Sequence, residues 1–138
     1  MKSIVVGYDG TEPADRALER AAELAQTFGS KLIVTAVAEV ASEVGSGLHV
    51  VAPSDMPELH MEELDRARAV LRGRQIDVEY QPAVGEPADA LVEIAERAGA
   101  DLIVVGTRDP GAIRRVLGQS VSRAVLQQAR CDVLVVRR

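Results

Sequence analysis

The stretch AGADLIVVG at residues 98–106 decides the fold: a glycine, an unbroken apolar run, then a second glycine. Gly99 follows a helical pattern directly and reads as a left-handed helix C-cap. Leu102 to Val105 carry no polar alternation, which is how a strand covered on both faces of a parallel sheet reads. Gly106 then puts a residue without a side chain at the strand's carboxyl end, where open α/β sheets hold ligands. The joint is used twice, because FGSKLIV at 28–34 repeats it with Gly29.

Outward from these joints lie five short apolar runs, at residues 3–8, 31–37, 76–80, 101–106 and 132–136. The run at 76–80 alternates, with Ile76, Val78 and Tyr80 set against Asp77 and Glu79, and reads as an edge strand. Between the runs are helical stripes. Residues 12–28 place Ala14, Ala17, Leu18, Ala21, Ala25 and Phe28 on one face, with Thr11 as N-cap and Pro13 in the tolerant first turn. Residues 58–72 place Met61, Leu64, Ala67 and Leu71 together. Residues 87–98 align Ala88, Leu91, Val92, Ala95 and Ala98, and residues 120–129 align Val121, Ala124, Val125 and Gln128. Strands alternating with helices predict one α/β domain over 1–138, an open parallel sheet with right-handed crossovers and four flanking helices. Only residues 41–57 break the rhythm, as a long Gly/Ser/Pro-punctuated loop of the kind that is often functional.

Composition narrows the function. The net charge of −5 argues against a nucleic-acid or anionic-membrane partner. Three aromatics, Tyr8, Phe28 and Tyr80, give no platform for base stacking. A single cysteine, Cys131, excludes an internal disulfide and suits a reducing cytoplasm. The apolar run of MKSIVVGYDG is too short for a signal peptide, and no segment approaches a membrane span. His49 and His60 lack carboxylates at metal-ligand spacing and read as surface residues, so no metal is expected. Neither G-x-x-x-x-G-K-[ST] nor G-x-S-x-G occurs. A phospho-receiver reading fails as well: only Asp9 stands at the first strand, the third runs into QPAVG, and the fifth ends in Arg137-Arg138.

Two strands end in glycine at the ligand edge, in VVGYDGT and VVGTRDPG. Asp9 stands there as an acceptor for a ribose or an adenine amine, or simply as the charge complement of the first helix. Three blocks, IVVGYDGTEPADRALERAAELA, VGEPADALVEIAERAGADLIVVGTR and SVSRAVLQQARCDVLVVRR, closely resemble the universal stress protein family over nearly the whole chain. The resemblance implies a doubly wound five-stranded sheet in the order 3-2-1-4-5 and a stress-response role. It also implies a homodimer through the C-terminal strand, 132–137. Some family members bind ATP or AMP. Carried over, their adenosine contacts fall on Gly7, Tyr8, Asp9 and Val37, and their phosphate loop spans Gly106 to Ser120 with Val121 beyond it.

That loop departs from the family's Gly-x2-Gly-x9-Gly-Ser/Thr pattern. Gly106 and Ser120 are kept, but Asp109 and Gln119 replace the second and third glycines, and Gly111 and Gly118 are out of register. A carboxylate a few ångströms from a polyphosphate costs on the order of 1–4 kcal/mol. A Cβ where φ is positive adds about 1 kcal/mol. Together these weaken triphosphate binding roughly 100-fold. Arg108, Arg114 and Arg115 supply compensating charge, and AMP asks less of the loop than ATP does. The expectation is therefore a non-enzymatic dimer with weak or absent ATP binding. The rival reading is a functional AMP or ATP binder with slow hydrolysis.

Overall fold

The computed structural model describes residues 1–38, 56–107 and 121–137. Across them run β1 (Ser3–Gly7), α1 (Glu12–Phe28), β2 (Lys31–Ala38), α2 (Met56–Leu71), β3 (Val78–Val84), α3 (Pro87–Ala98), β4 (Leu102–Gly106), α4 (Val121–Gln128) and β5 (Asp132–Val136). Every strand pairing is parallel, and the order is β3-β2-β1-β4-β5. The winding reverses between β1 and β4, so α1 and α2 cover one face and α3 and α4 the other.

Local signals account for the elements. Thr11 caps α1, its hydroxyl accepting from Ala14 N at 3.4 Å. Gly29 and Gly99 end α1 and α3 at φ 66° and 64°, each returning its N–H to the last turn of its helix. A residue with a Cβ would be strained at either position. Along β1, Ile4 and Val6 face α1 and α2 while Val5 faces α3 and α4, and all three are fully buried. Burial on both faces is why this strand reads as a continuous apolar run. Five alanines of α1 (14, 17, 21, 22 and 25) are buried, so the helix sits close on the sheet without aromatic filling.

Several stripe residues end up outside the core. Phe28 and Met61 lie at the last and an early turn of their helices and are half exposed, at 54% and 51%. Ala98 and Val121, at the ends of α3 and α4, are exposed too. Periodicity predicts the face of a helix but not how far the sheet beneath it extends. Ala22 and Ile94, absent from the predicted stripes, are buried instead. Thr35 is buried on β2 with a hydroxyl that finds no partner among the described residues. Thr35→Val removes that orphan group at equal shape, and a thermal melt is expected to show stabilisation of about 1 kcal/mol.

The third strand also runs later than its predicted span of 76–80. β3 starts at Val78 and passes through Pro82 to Val84. A proline inside a strand is tolerated here because of where its nitrogen points. Leu32 N donates to Asp77 O at 2.8 Å and Gly85 N to Ala38 O at 2.9 Å. In a parallel ladder, residues 77, 79, 81, 83 and 85 therefore turn their backbone groups toward β2, and 78, 80, 82 and 84 turn theirs outward. Pro82 removes one outward donor and breaks no ladder bond, which also blunts this open edge.

The same reading of β5 gives a different edge. Thr107 N donates to Val136 O at 3.1 Å. Residues 132, 134 and 136 thus face β4, and the N–H groups of Val133 and Val135 point away from the sheet. Nothing on β5 matches Pro82.

Candidate functional site

The winding reverses between β1 and β4, and the carboxyl edge at such a reversal is the usual ligand position in this architecture. Gly7, Tyr8, Asp9, Val37 and Gly106 share that edge on the adjacent strands β2, β1 and β4. Val121 begins α4 and is exposed. Arg108, Gly118 and Ser120 lie outside the described residues, as do Asp109, Gly111, Arg114, Arg115, Gln119 and His49, and all but the last two residues of the loop at 41–57.

Both strand-end glycines are enforced by packing. A Cβ on Gly106 would sit 2.2 Å from the Pro13 carbonyl oxygen, because the first turn of α1 rests directly on the end of β4. A Cβ on Gly7 would meet a Leu91 methyl of α3 at 2.9 Å. The two glycines thus let one helix from each face come down onto the switch point.

Tyr8 is buried. Its hydroxyl donates to Asp15 Oδ1 at 2.6 Å, and Arg66 of α2 donates to Asp15 Oδ2 at 3.0 Å. Its backbone N–H is given to Thr35 O at 2.8 Å. Burial first, then the Asp15 hydrogen bond and charge, push the phenol well above its usual range, so it stays a neutral donor. The side chain is therefore a strut joining β1, α1 and α2. The sequence left a clue to it, since a buried tyrosine hydroxyl needs a partner. It gave no sign that the partners stand 7 and 58 residues away.

Asp9 is exposed, and its Oδ1 accepts from Thr11 N at 3.1 Å and from the Thr11 hydroxyl at 2.5 Å. The start of α1 is capped in part from within: Asp9 takes the N–H of Thr11, Thr11 takes that of Ala14, and Pro13 has none. Glu12 and Asp15 add two carboxylates to the same turn. These carboxylates offset the positive end of the α1 dipole and lower what it offers to an anion. The free oxygen of Asp9 remains an acceptor. Across the β1–α1 turn stands Glu63 of α2, its Cγ 3.9 Å from where a Gly10 Cβ would lie. Burial and then the charge of Asp9 raise its pKa above the ordinary carboxylate value.

The edge thus presents acceptor oxygens, a chemistry suited to hydroxyl and amine donors. The profile of the family described as "Universal stress protein family" matches residues 1–137. Universal stress protein A homolog 2 of Coxiella burnetii is 34% identical, over 99% of this chain and 94% of its own. A universal stress protein solved in complex with cAMP superposes with a TM-score of 0.73 at 34% identity, covering 99% of this chain and 96% of that one. The Archaeoglobus fulgidus universal stress protein in complex with dAMP gives 0.72 at 29% identity, covering 98% and 97%.

Proposed function

Since the chain belongs to the universal stress protein family, we propose that it is a non-enzymatic stress-response dimer holding an adenine nucleotide at the β1/β4 carboxyl edge, with little grip on a triphosphate. Relatives solved with cAMP and dAMP make an adenine ligand chemically reasonable. The observation that carries the reading is the self-capped start of α1. Asp9 and Thr11 take the N–H groups of Thr11 and Ala14 and Pro13 has none, so the turn offers few donors to phosphate, while Asp9 keeps an oxygen for the nucleoside. Phosphate binding then falls to the segment 107–120, whose sequence has Asp109 and Gln119 in place of two glycines.

Calorimetric titration of the purified protein with adenosine, AMP, ADP and ATP tests this. Adenosine or AMP binding with much weaker ATP binding supports it, and micromolar ATP affinity overturns it in favour of a working ATP site. The double variant Asp109→Gly, Gln119→Gly is expected to raise ATP affinity at least tenfold. An unchanged affinity would place the defect elsewhere.

The dimer is proposed to form by pairing of β5 with β5 of a second copy. What supports it is the inequality of the two sheet edges. β3 carries Pro82 on its open side, whereas β5 offers the outward N–H groups of Val133 and Val135 on an apolar strand. An unprotected edge of this kind is resolved by pairing.

A further inference from the structure

We propose that the groove between α3 and the β2–β3 side of the sheet is a second binding site, which takes a free amino acid with an apolar side chain. The groove has a volume of about 760 Å³, within the roughly 300–1,000 Å³ of small-molecule sites. None of Gly7, Tyr8, Asp9, Val37 or Gly106 lines it, so it is separate from the carboxyl edge of β1 and β4.

The alternation along β3 creates the groove. Val78 and Tyr80 pack into the cluster under α1 and α2, which turns Glu79, Gln81 and Ala83 to the opposite face. From α3, Ala90 reaches the groove with no more than a methyl. The lining changes character along the strands. At the amino end stand Ser3 and Lys31, the paired first residues of β1 and β2, with Arg97 from the last turn of α3. Further along, Ile33, Ala83, Ala90 and Ile94 make an apolar wall.

The polar groups of the groove are only partly matched to one another. Lys31 Nζ lies 2.8 Å from Glu79 Oε1, and Gln81 Nε2 donates to Glu79 Oε2 at 3.0 Å, so both oxygens of Glu79 are engaged. Glu93 and Arg97, one helical turn apart on the rim, differ: among the described residues no hydrogen bond or ion pair reaches either side chain. Ser3 is 7% exposed, and its hydroxyl finds no partner among the described residues. A buried hydroxyl left unpaired is costly, and a guest that supplies its partner removes the cost. Lys31 and Arg97 balance Glu79 and Glu93, so the groove has no net pull on a simple anion or cation. It suits a guest carrying both charges. Arg97 and Ser3 receive a carboxylate at the amino end, Glu93 an ammonium one turn further, and Ile33, Ala83 and Ile94 an apolar chain beyond it. An α-amino acid presents its groups in that order.

Methyl NMR titration of the full-length protein with L-leucine, leucinamide and N-acetylleucine tests this. Leucine is expected to shift the methyl signals of Ile33, Ala83 and Ile94, and each single-charge analogue to bind about tenfold more weakly. The preference for leucine over leucinamide should vanish in Arg97→Gln, and that over N-acetylleucine in Glu93→Gln. Both residues are exposed, so neither variant disturbs the core. Arg72→Gln, at an exposed position just past α2, makes the same charge change as Arg97→Gln and should keep both preferences. Three results would each overturn the site: no methyl shifts at millimolar leucine, analogues that bind as well as leucine, or preferences that survive in Arg97→Gln and Glu93→Gln. Shifts centred on Tyr8 and Asp9 in place of Ile33 and Ile94 would do so too, by moving the amino acid to the nucleotide edge.

Discussion

Val135→Pro is expected to turn the proposed β5–β5 dimer into a monomer that is folded as well as the parent. The variant copies onto β5 the device that β3 already has in Pro82. By the ladder parity fixed by Thr107 N and Val136 O, the Val135 N–H points away from β4, so its loss costs no bond within the sheet. At a two-fold β5–β5 junction the loss is counted twice. Each copy leaves a carbonyl of its partner unsatisfied, at about 1–3 kcal/mol apiece. Dimer affinity should fall about 100-fold or more. Leu134→Pro is the contrasting variant. Its N–H faces β4, so it should lower the thermal midpoint of the monomer itself. Sedimentation velocity with thermal melts reads both. A monomeric parent at tens of micromolar, or a Val135→Pro protein that still dimerises tightly, sinks the β5 interface.

The two edges also show why some features were legible in the sequence and others were not. AGADLIVVG and FGSKLIV encode their structures locally: the glycine must be left-handed, the apolar run must be covered on both faces, and both hold. Strand order entered through the resemblance to a family and is borne out by the pairings. The expected 76–80 falls short of β3 because Pro82 looks like a terminator until the edge and the ladder parity are known. Phe28 and Met61 obey their helical period yet stay exposed, since exposure depends on where the sheet ends. At the site, Asp9 and Gly106 were visible because they sit in short glycine-bearing turns. Glu63, Asp15 and Arg66 were not, because a charged residue on an amphipathic helix carries no mark of the strand end it faces. Only the seating of α2 beside α1 brings them to the carboxyl end of β1.

Among the described glycines, Gly106→Ala is expected to be the most damaging added methyl, and for a reason unconnected with phosphate. In the family pattern Gly106 is the first glycine of the nucleotide loop, which invites the view that a Cβ there spoils only ligand contact. The geometry predicts otherwise. The new methyl would lie 2.2 Å from the Pro13 oxygen and 2.7 Å from its carbonyl carbon. Both are backbone atoms of the first turn of α1, so relief requires moving the helix that carries Thr11, Asp15 and the strut to Tyr8. The cost belongs at the upper end of the overpacking range, about 3 kcal/mol, or a fall in thermal midpoint of roughly 10 °C. Gly7→Ala is the proper comparison, since its methyl meets the end of the Leu91 side chain at 2.9 Å. A leucine methyl can swing aside, so about 1 kcal/mol is expected there. Melts of the two variants without ligand separate the views. If Gly106 serves phosphate alone, Gly106→Ala melts with the parent and loses only nucleotide affinity. If it serves the seating of α1, the melt falls first, and adenosine, which has no phosphate, loses affinity along with AMP because Asp9 moves with the turn.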